Sequence, residues 1–227
     1  MGAIEEQPEQ PVCIHFTNTV SLHDGTDTND RFHDFESYIV WAGAAGLFHK
    51  NKVKEWVAWG KTHPRDAARV LSKVIDFREY LYGLFSRSAE SQHVSPSALS
   101  ELNRMLATPS LKRTIHVSGD EISESWDCGE GPMAPLLRIA LSAADVLRQD
   151  SWRKIIECDR EVCGWLAIDI SRNHSRRYCT SGGCGNTARV QRHYHRHKSE
   201  RRLLGIERRT RTKAQRRRLG QGQTRLF

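Results

Sequence analysis

An α+β fold is what the sequence predicts: a mostly helical N-terminal domain with a small β-hairpin or sheet, then a small cysteine-clamped finger followed by a basic helix. Three observations predict it. Apolar residues recur at three-to-four spacing through most of the first 150 residues, the mark of amphipathic helices. One stretch, KRTIHVSGDEISESWD, alternates instead, with Thr and Val set among polar residues on either side of Gly119-Asp120. Four of the six cysteines fall between Cys158 and Cys184 as two Cys-x4-Cys pairs, each closed by a glycine.

The elements follow in order. PVCIHFTNTV starts apolar and β-leaning, then gives way to a Gly/Asp/Thr/Asn loop. The polar Thr17-Asn18-Thr19 at its end marks Asn18 and Thr19 as candidate pocket residues, against the commoner role of tying down a loop. DFESYIVWAGAAGLF reads as a helix with Phe35, Tyr38, Ile39, Ala42 and Gly46 on one stripe. VKEWVAWG reads as a short helix ended by Gly60. Pro64 suits the first position of a long helix, because its fixed φ matches the helix and its missing N–H is not needed there. That helix carries Val70, Val74, Arg78, Leu81 and Phe85 on one side. Ser95-Pro96 is a second start of the same kind. The alternating stretch around Gly119-Asp120 is a hairpin, and PMAPLLRIALSAADVLRQD is the most apolar helix, expected at the centre of the core.

Charge divides the chain. Its net formal charge is +8. From Asn186 onward there are fourteen Lys and Arg against Glu200 and Glu207, which is +12, so the remainder sums to −4. A basic end on a slightly acidic body is where a polyanion would bind. No apolar run approaches the roughly 18 residues of a membrane span. The N-terminus MGAIEEQPEQPV lacks the basic start and apolar core of a signal peptide, so a cytoplasmic location is expected, where thiols stay reduced. The body shows no Gly-rich phosphate loop, no Gly-x-Ser-x-Gly elbow and no His-Glu-x-x-His. A small-molecule-binding enzyme is therefore the weakest functional reading. Cys13 and Cys128 stand alone in sequence, as do His15, His23 and His33.

Two equal Cys-x4-Cys pairs in a reduced protein point to a metal. The spacing does not suit a Cys-x-x-Cys redox pair, whereas zinc takes four thiolates in a tetrahedron, two from each of two loops. An iron–sulfur cluster is the alternative. On this reading Cys158, Cys163, Cys179 and Cys184 hold one structural Zn2+. Gly164 and Gly185, at matching positions, would supply positive φ for two knuckles related by an approximate twofold. Residues 165–170 would form one strand and Arg176 to Cys179 the returning one, a treble-clef-like or zinc-ribbon-like finger. The metal would supply much of its stability, and arginines nearby would offset the −2 charge of the site. GNTARVQRHYHRHKSERRLL continues as a basic helix, with Val190 and Tyr194 as the side that packs. Arg172, Arg176, Arg177, Arg189, Arg192, Arg196, Lys198, Arg201 and Arg202 are the nucleic-acid candidates, suited to phosphates and guanine edges. Residues 205–227 read as a basic tail without enough apolar content to fold alone.

PVCIHFTNTV and DFESYIVWAGAAGLF resemble the opening of the bacterial ABATE domain, and CGWLAIDISRNHSRRYCTSGGCGN resembles the CGNR zinc finger that follows it in that family. Ser171 to Arg177 is a specific marker of it. The resemblance implies an ABATE-like domain over 1–150 and a CGNR-type finger with basic helix over 151–204. It implies zinc on the four cysteines and a stress-induced transcription regulator whose finger binds DNA; a ligand-sensing or dimerising N-terminal domain is expected from the architecture alone. The chain departs from the name-giving motif: Cys184-Gly185-Asn186 is followed by Thr187, which leaves Arg189 as the nearest cation. An RNA- or ribosome-associated ribbon protein is the second reading. A small-molecule effector and a homodimer, which would double a small footprint, complete the expected partners.

Overall fold

Residues 10–23, 30–91 and 93–203 are described by the structure, a computed structural model. The expected loop at 24–29 and the basic tail at 205–227 lie outside the described residues, as do the side chains of Arg201 and Arg202. Residues up to Gly185 form one compact unit, and the chain from Asn186 forms a second.

The chain opens with α1 (Val12–Thr17), not the expected strand. The β-branched content misleads here because tertiary packing overrides weak local preference: Cys13, Ile14, Phe16 and Thr17 are buried. The Thr17 hydroxyl donates to Ile14 O and the Thr19 hydroxyl to Phe16 O, which satisfies carbonyls at the helix end. Helix α2 (Phe35–Ala44) begins at a capping box, Asp34 accepting from Ser37 N while Ser37 Oγ meets Asp34 N. It ends where Gly46 turns to φ +72 and Leu47 N reaches back to Ala42 O. Phe35, Tyr38, Ile39 and Ala42 are buried as their spacing predicts, and Gly46 is exposed at the turn.

Helix α3 (Lys50–Thr62) runs through Gly60 instead of ending there. A Cβ on Gly60 would sit 2.5 Å from Phe35 Cδ1, so this glycine serves close helix packing. The following Pro64 stops the helix, since the residue before a proline is disfavoured in the α region. Pro64 opens α4 (Pro64–Ser91). The Ser95 hydroxyl accepts from Ala98 N to start a short 3-10 turn that leads into α5 (Ser100–Leu106). Strands β1 (Lys112–Ser118) and β2 (Glu121–Asp127) pair antiparallel from Ser118↔Glu121 to Lys112↔Asp127. Gly119 takes φ +61 in the two-residue turn. This hairpin stands out from the body, with Ile115, Val117 and Ile122 exposed. Helix α6 (Ala134–Arg148) is central, as its composition predicts, with eight buried residues.

The main core does not stop at residue 150. Trp152, Ile155, Leu166 and Ile168 join Phe16, Tyr38, Leu81 and Ile139 in one cluster. Strands β3 (Ile155–Glu157) and β4 (Leu166–Ile168) pair antiparallel. The expected return strand over Arg176 to Cys179 does not form. Arg177 O instead accepts from Asp159 N, outside any ladder.

At the edge of this core Arg78, itself 2% exposed, spans a partly buried polar network. Its guanidinium grips both Asp30 oxygens, at 2.7 and 2.6 Å, and reaches Thr19 Oγ1 and Glu79. Burial pushes the Asp30 and Glu79 carboxyls up, but Arg78 at Asp30, and His23 ahead of Arg78 at Glu79, outweigh it and hold both below their ordinary values. A depressed folded pKa means stability that is present above the unfolded value and is lost as pH falls through the folded one. The urea midpoint is therefore expected to fall as pH drops below about 4, the ordinary carboxylate range. The fall should be shallower in Asp30→Asn, and an acid-insensitive midpoint down to that variant's level would count against the network.

Candidate metal centre and basic helix

The finger begins where β3 ends. Cys158 N donates to Trp165 O at 2.8 Å, closing the β3–β4 hairpin around the first cysteine pair. Gly164 takes φ +66, and a Cβ there would approach Ser21 O to 3.0 Å, so the glycine is needed both for the turn and for the body beneath it. Gly185 works differently from the expected twin. It has no positive φ. Its N donates to Thr180 O at 2.9 Å, and a Cβ would meet that same oxygen at 2.9 Å. The second pair brackets a tight turn: Cys179 precedes it and Cys184 lies within Ser181–Gly185, where the Thr180 hydroxyl accepts from Gly183 N and Cys184 N. The two knuckles are thus unlike: one is the loop of a hairpin, the other the entry to a helix. This arrangement is treble-clef-like.

The four sulfurs converge. All lie within 4.8 Å of one another. The Cys163–Cys179 and Cys184–Cys163 separations are 3.6 and 3.7 Å. Four thiolates held at about 2.3 Å by a tetrahedral zinc lie about 3.8 Å apart, so the spacing fits the ion. Electrostatics makes the same demand. Hydrogen bonds from Cys163 and Cys179 pull the Cys158 thiol far below its ordinary value, while Cys163 and Cys179, set against Cys158, are pushed up. Thiols packed this closely ionise together only around a cation. The finger holds a single structural zinc.

The shell around the sulfurs reassigns several arginines. Arg160, which the sequence reading passed over, donates to Cys184 Sγ at 3.6 Å. Arg176 was a nucleic-acid candidate, but its guanidinium is directed inward onto the carbonyls of Ile168, Tyr178 and Cys179. Arg177 pairs with Asp159 across the first knuckle. Asp169, also missed, is 3% exposed and organises the marker segment: its carboxylate accepts from Ser171 N at 2.8 Å and from Arg176 N at 2.9 Å. The signal for it was a lone acid ending an apolar strand just before that segment. Arg172 stays exposed on the turn.

Asn18 and Thr19 have structural tasks in place of the expected pocket role. The Asn18 side-chain amide donates to Leu166 O at 2.8 Å and accepts from Leu166 N at 2.9 Å. Gln10 repeats this at Ile168, donating at 3.2 Å and accepting at 2.6 Å. The two amides flank α1 and stand in for a missing neighbour strand along β4. Thr19 accepts from Arg78. Of the single thiols, Cys13 is pushed up to about 12 by burial and Cys128 is raised by the same cause, so neither is a thiolate near neutral pH.

The second unit contains α7 (Asn186–Leu203). Arg189, Arg192, Arg196 and Lys198 are exposed, and no carboxylate occurs between Asn186 and Lys198. Val190 and Tyr194, expected to pack, are 59% and 62% exposed.

Fold and site together define a zinc-finger protein in which a helical body, a four-cysteine centre and a basic helix follow one another along the chain. The comparisons with known families give the particular one. The ABATE family, described as "Putative stress-induced transcription regulator", matches residues 10–150, and the CGNR zinc finger matches residues 154–197. The chain belongs to the ABATE family and carries a CGNR finger. A comparison with curated proteins finds no match. Among the described residues no helix is long and apolar enough to cross a membrane.

Proposed function

We propose that the protein is a DNA-binding transcription regulator, in which the zinc centre fixes the turn that launches α7, α7 contacts the duplex, and the ABATE part senses a ligand or dimerises. The observation that carries this reading is the composition of α7: an exposed helix with Arg189, Arg192 and Arg196 on one stripe and no acid before Glu200. Ordinary solvated helices mix both signs along a face, whereas a one-signed stripe suits phosphates. Arg172 is the further candidate. The same reading makes it a binding protein and not an enzyme. Its single thiols are protonated, and the close imidazole–carboxylate contact, His23 Nδ1 to Glu79 Oε2 at 2.6 Å, is packed against Tyr82.

The test is a duplex-DNA titration at two salt concentrations. Binding through Z phosphates lowers log K by roughly 0.9Z per decade of salt. Replacing Arg189, Arg192 and Arg196 by Gln is expected to flatten that slope by about 2–3. Salt-independent binding, or a slope the triple variant leaves unchanged, would sink the proposal. One observation favours RNA as the second reading: Tyr194 is exposed among the arginines, where a base could stack. Competition between duplex DNA and structured RNA decides between them.

A further inference from the structure

Between the β1–β2 hairpin and α6 lies a cleft of two adjoining hollows, of about 480 and 380 Å³. Glu124, Trp126, Leu141 and Asp145 line both. The cleft follows from sequence periodicity. Arg138, Leu141, Ser142 and Asp145 share one face of α6 at three-to-four spacing. Arg113, Glu124 and Trp126 share one face of the hairpin because Arg113 pairs with Trp126 two positions from Ile115↔Glu124. Leu106, Leu111 and Ala144 extend the apolar floor.

The charges in the cleft do not cancel. Glu124 is paired with Arg113 at 2.9 Å and Asp145 with Arg148 at 3.0 Å. Arg138 pairs with no described carboxylate and leaves one cation at the wall. Arg113 also lies over the Trp126 ring, 5.7 Å from its centroid, which steadies the indole as a flat surface. Ser142 Oγ accepts from Cys13 N at 3.4 Å and its hydroxyl also meets the Cys13 thiol, so Ser142 is a fixed part of the wall. A flat apolar wall, an aliphatic floor and one guanidinium with no carboxylate partner among the described residues are the complement of a planar aromatic ring bearing a carboxylate.

We infer that this cleft is an effector site for a small aromatic carboxylate, its ring between Trp126 and Leu141 and its carboxylate on Arg138. This names the ligand class for the sensing role proposed above and rests on that role. The position of the cleft supplies a route to the finger. Pro11 lines the wall beside Ser142, and its neighbour Gln10 holds both peptide groups of Ile168 in β4. An occupant therefore bears on the end of α1 that grips the finger's strand.

The test is calorimetric titration of the zinc-loaded full chain with indole-3-carboxylate, with neutral 3-methylindole and acetate as comparators. Saturable binding of one indole-3-carboxylate per chain is expected, with acetate silent. Arg138→Gln should weaken indole-3-carboxylate about tenfold or more and leave 3-methylindole unchanged. Leu141→Trp should block both, with zinc content and thermal unfolding showing that each variant is folded. If Leu141→Trp fails to fold, Arg138→Gln alone decides. No binding to the wild type at millimolar concentration, or binding that Arg138→Gln leaves unchanged, overturns the site. DNA titration of the same samples separates the two ideas. Intact DNA binding without carboxylate binding removes the effector site and leaves the DNA reading. Carboxylate binding in a protein that ignores DNA supports the site and removes the regulator.

Discussion

Replacing Cys179 and Cys184 together by serine is expected to take zinc from one per chain to none and to abolish salt-sensitive DNA binding. Elemental analysis and a duplex titration on the same samples check this. The effect should be the largest of any substitution in the finger. Structural zinc in finger peptides contributes about 10–16 kcal/mol of apparent binding free energy, and little else holds the second knuckle. Residues 171–185 form no strand, and their order comes from Asp169, the Arg176 guanidinium and the Thr180 hydroxyl. Loss should be local, because Ile155, Leu166 and Ile168 remain in the main core. Far-UV circular dichroism of the body should therefore persist, while proteolysis between 171 and 185 accelerates. Retained zinc in the double variant would mean that the four sulfurs are not the ligand set. Lost zinc with undiminished DNA binding would detach the finger from recognition.

The elements legible in the sequence are those with a local cause. Pro64 and Ser95-Pro96 announce helix starts because caps act within one turn. Gly119-Asp120 announces a hairpin because the turn itself needs a residue at positive φ. The cysteines announce the metal because their spacing is the coordination chemistry. What stayed hidden depends on partners distant in sequence. Gly60 looked like a helix stop because nothing local reveals the Phe35 ring above it. Helix α1 looked like a strand because the evidence for its helicity is the packing of Phe16 among Phe32, Trp41 and Phe77. The matched glycines suggested matched knuckles, yet Gly164 is required by a turn and Gly185 by a close oxygen. Arg176 and Arg177 were counted both with the cations that offset the metal site and with the DNA-facing ones, because charge in a sequence carries no direction. The carbonyls of Ile168, Tyr178 and Cys179 and the Asp159 carboxylate give them one.

Asn18→Ala is expected to be the most damaging substitution in the body that touches no metal ligand. The side chain satisfies both the N–H and the C=O of Leu166, a residue with no exposed surface, 148 positions away. Removing it strands a buried donor and a buried acceptor, each costing about 1–3 kcal/mol. A loss of about 2–5 kcal/mol corresponds to about 5–15 °C in thermal midpoint for a chain of this size. Asn18→Asp should not rescue it, because a carboxylate accepts from Leu166 N but faces Leu166 O with no proton to donate. The clamp also makes a functional prediction. Strand β4 leads directly to Asp169 and the marker segment, so a slack β4 should weaken DNA binding while zinc stays at one per chain. That combination separates positioning from coordination, since a metal defect would lower zinc content as well. An unchanged thermal midpoint with a lost response to indole-3-carboxylate would instead make Asn18 a ligand-contacting residue. The geometry argues against that outcome, because both polar atoms of its amide are already committed to Leu166.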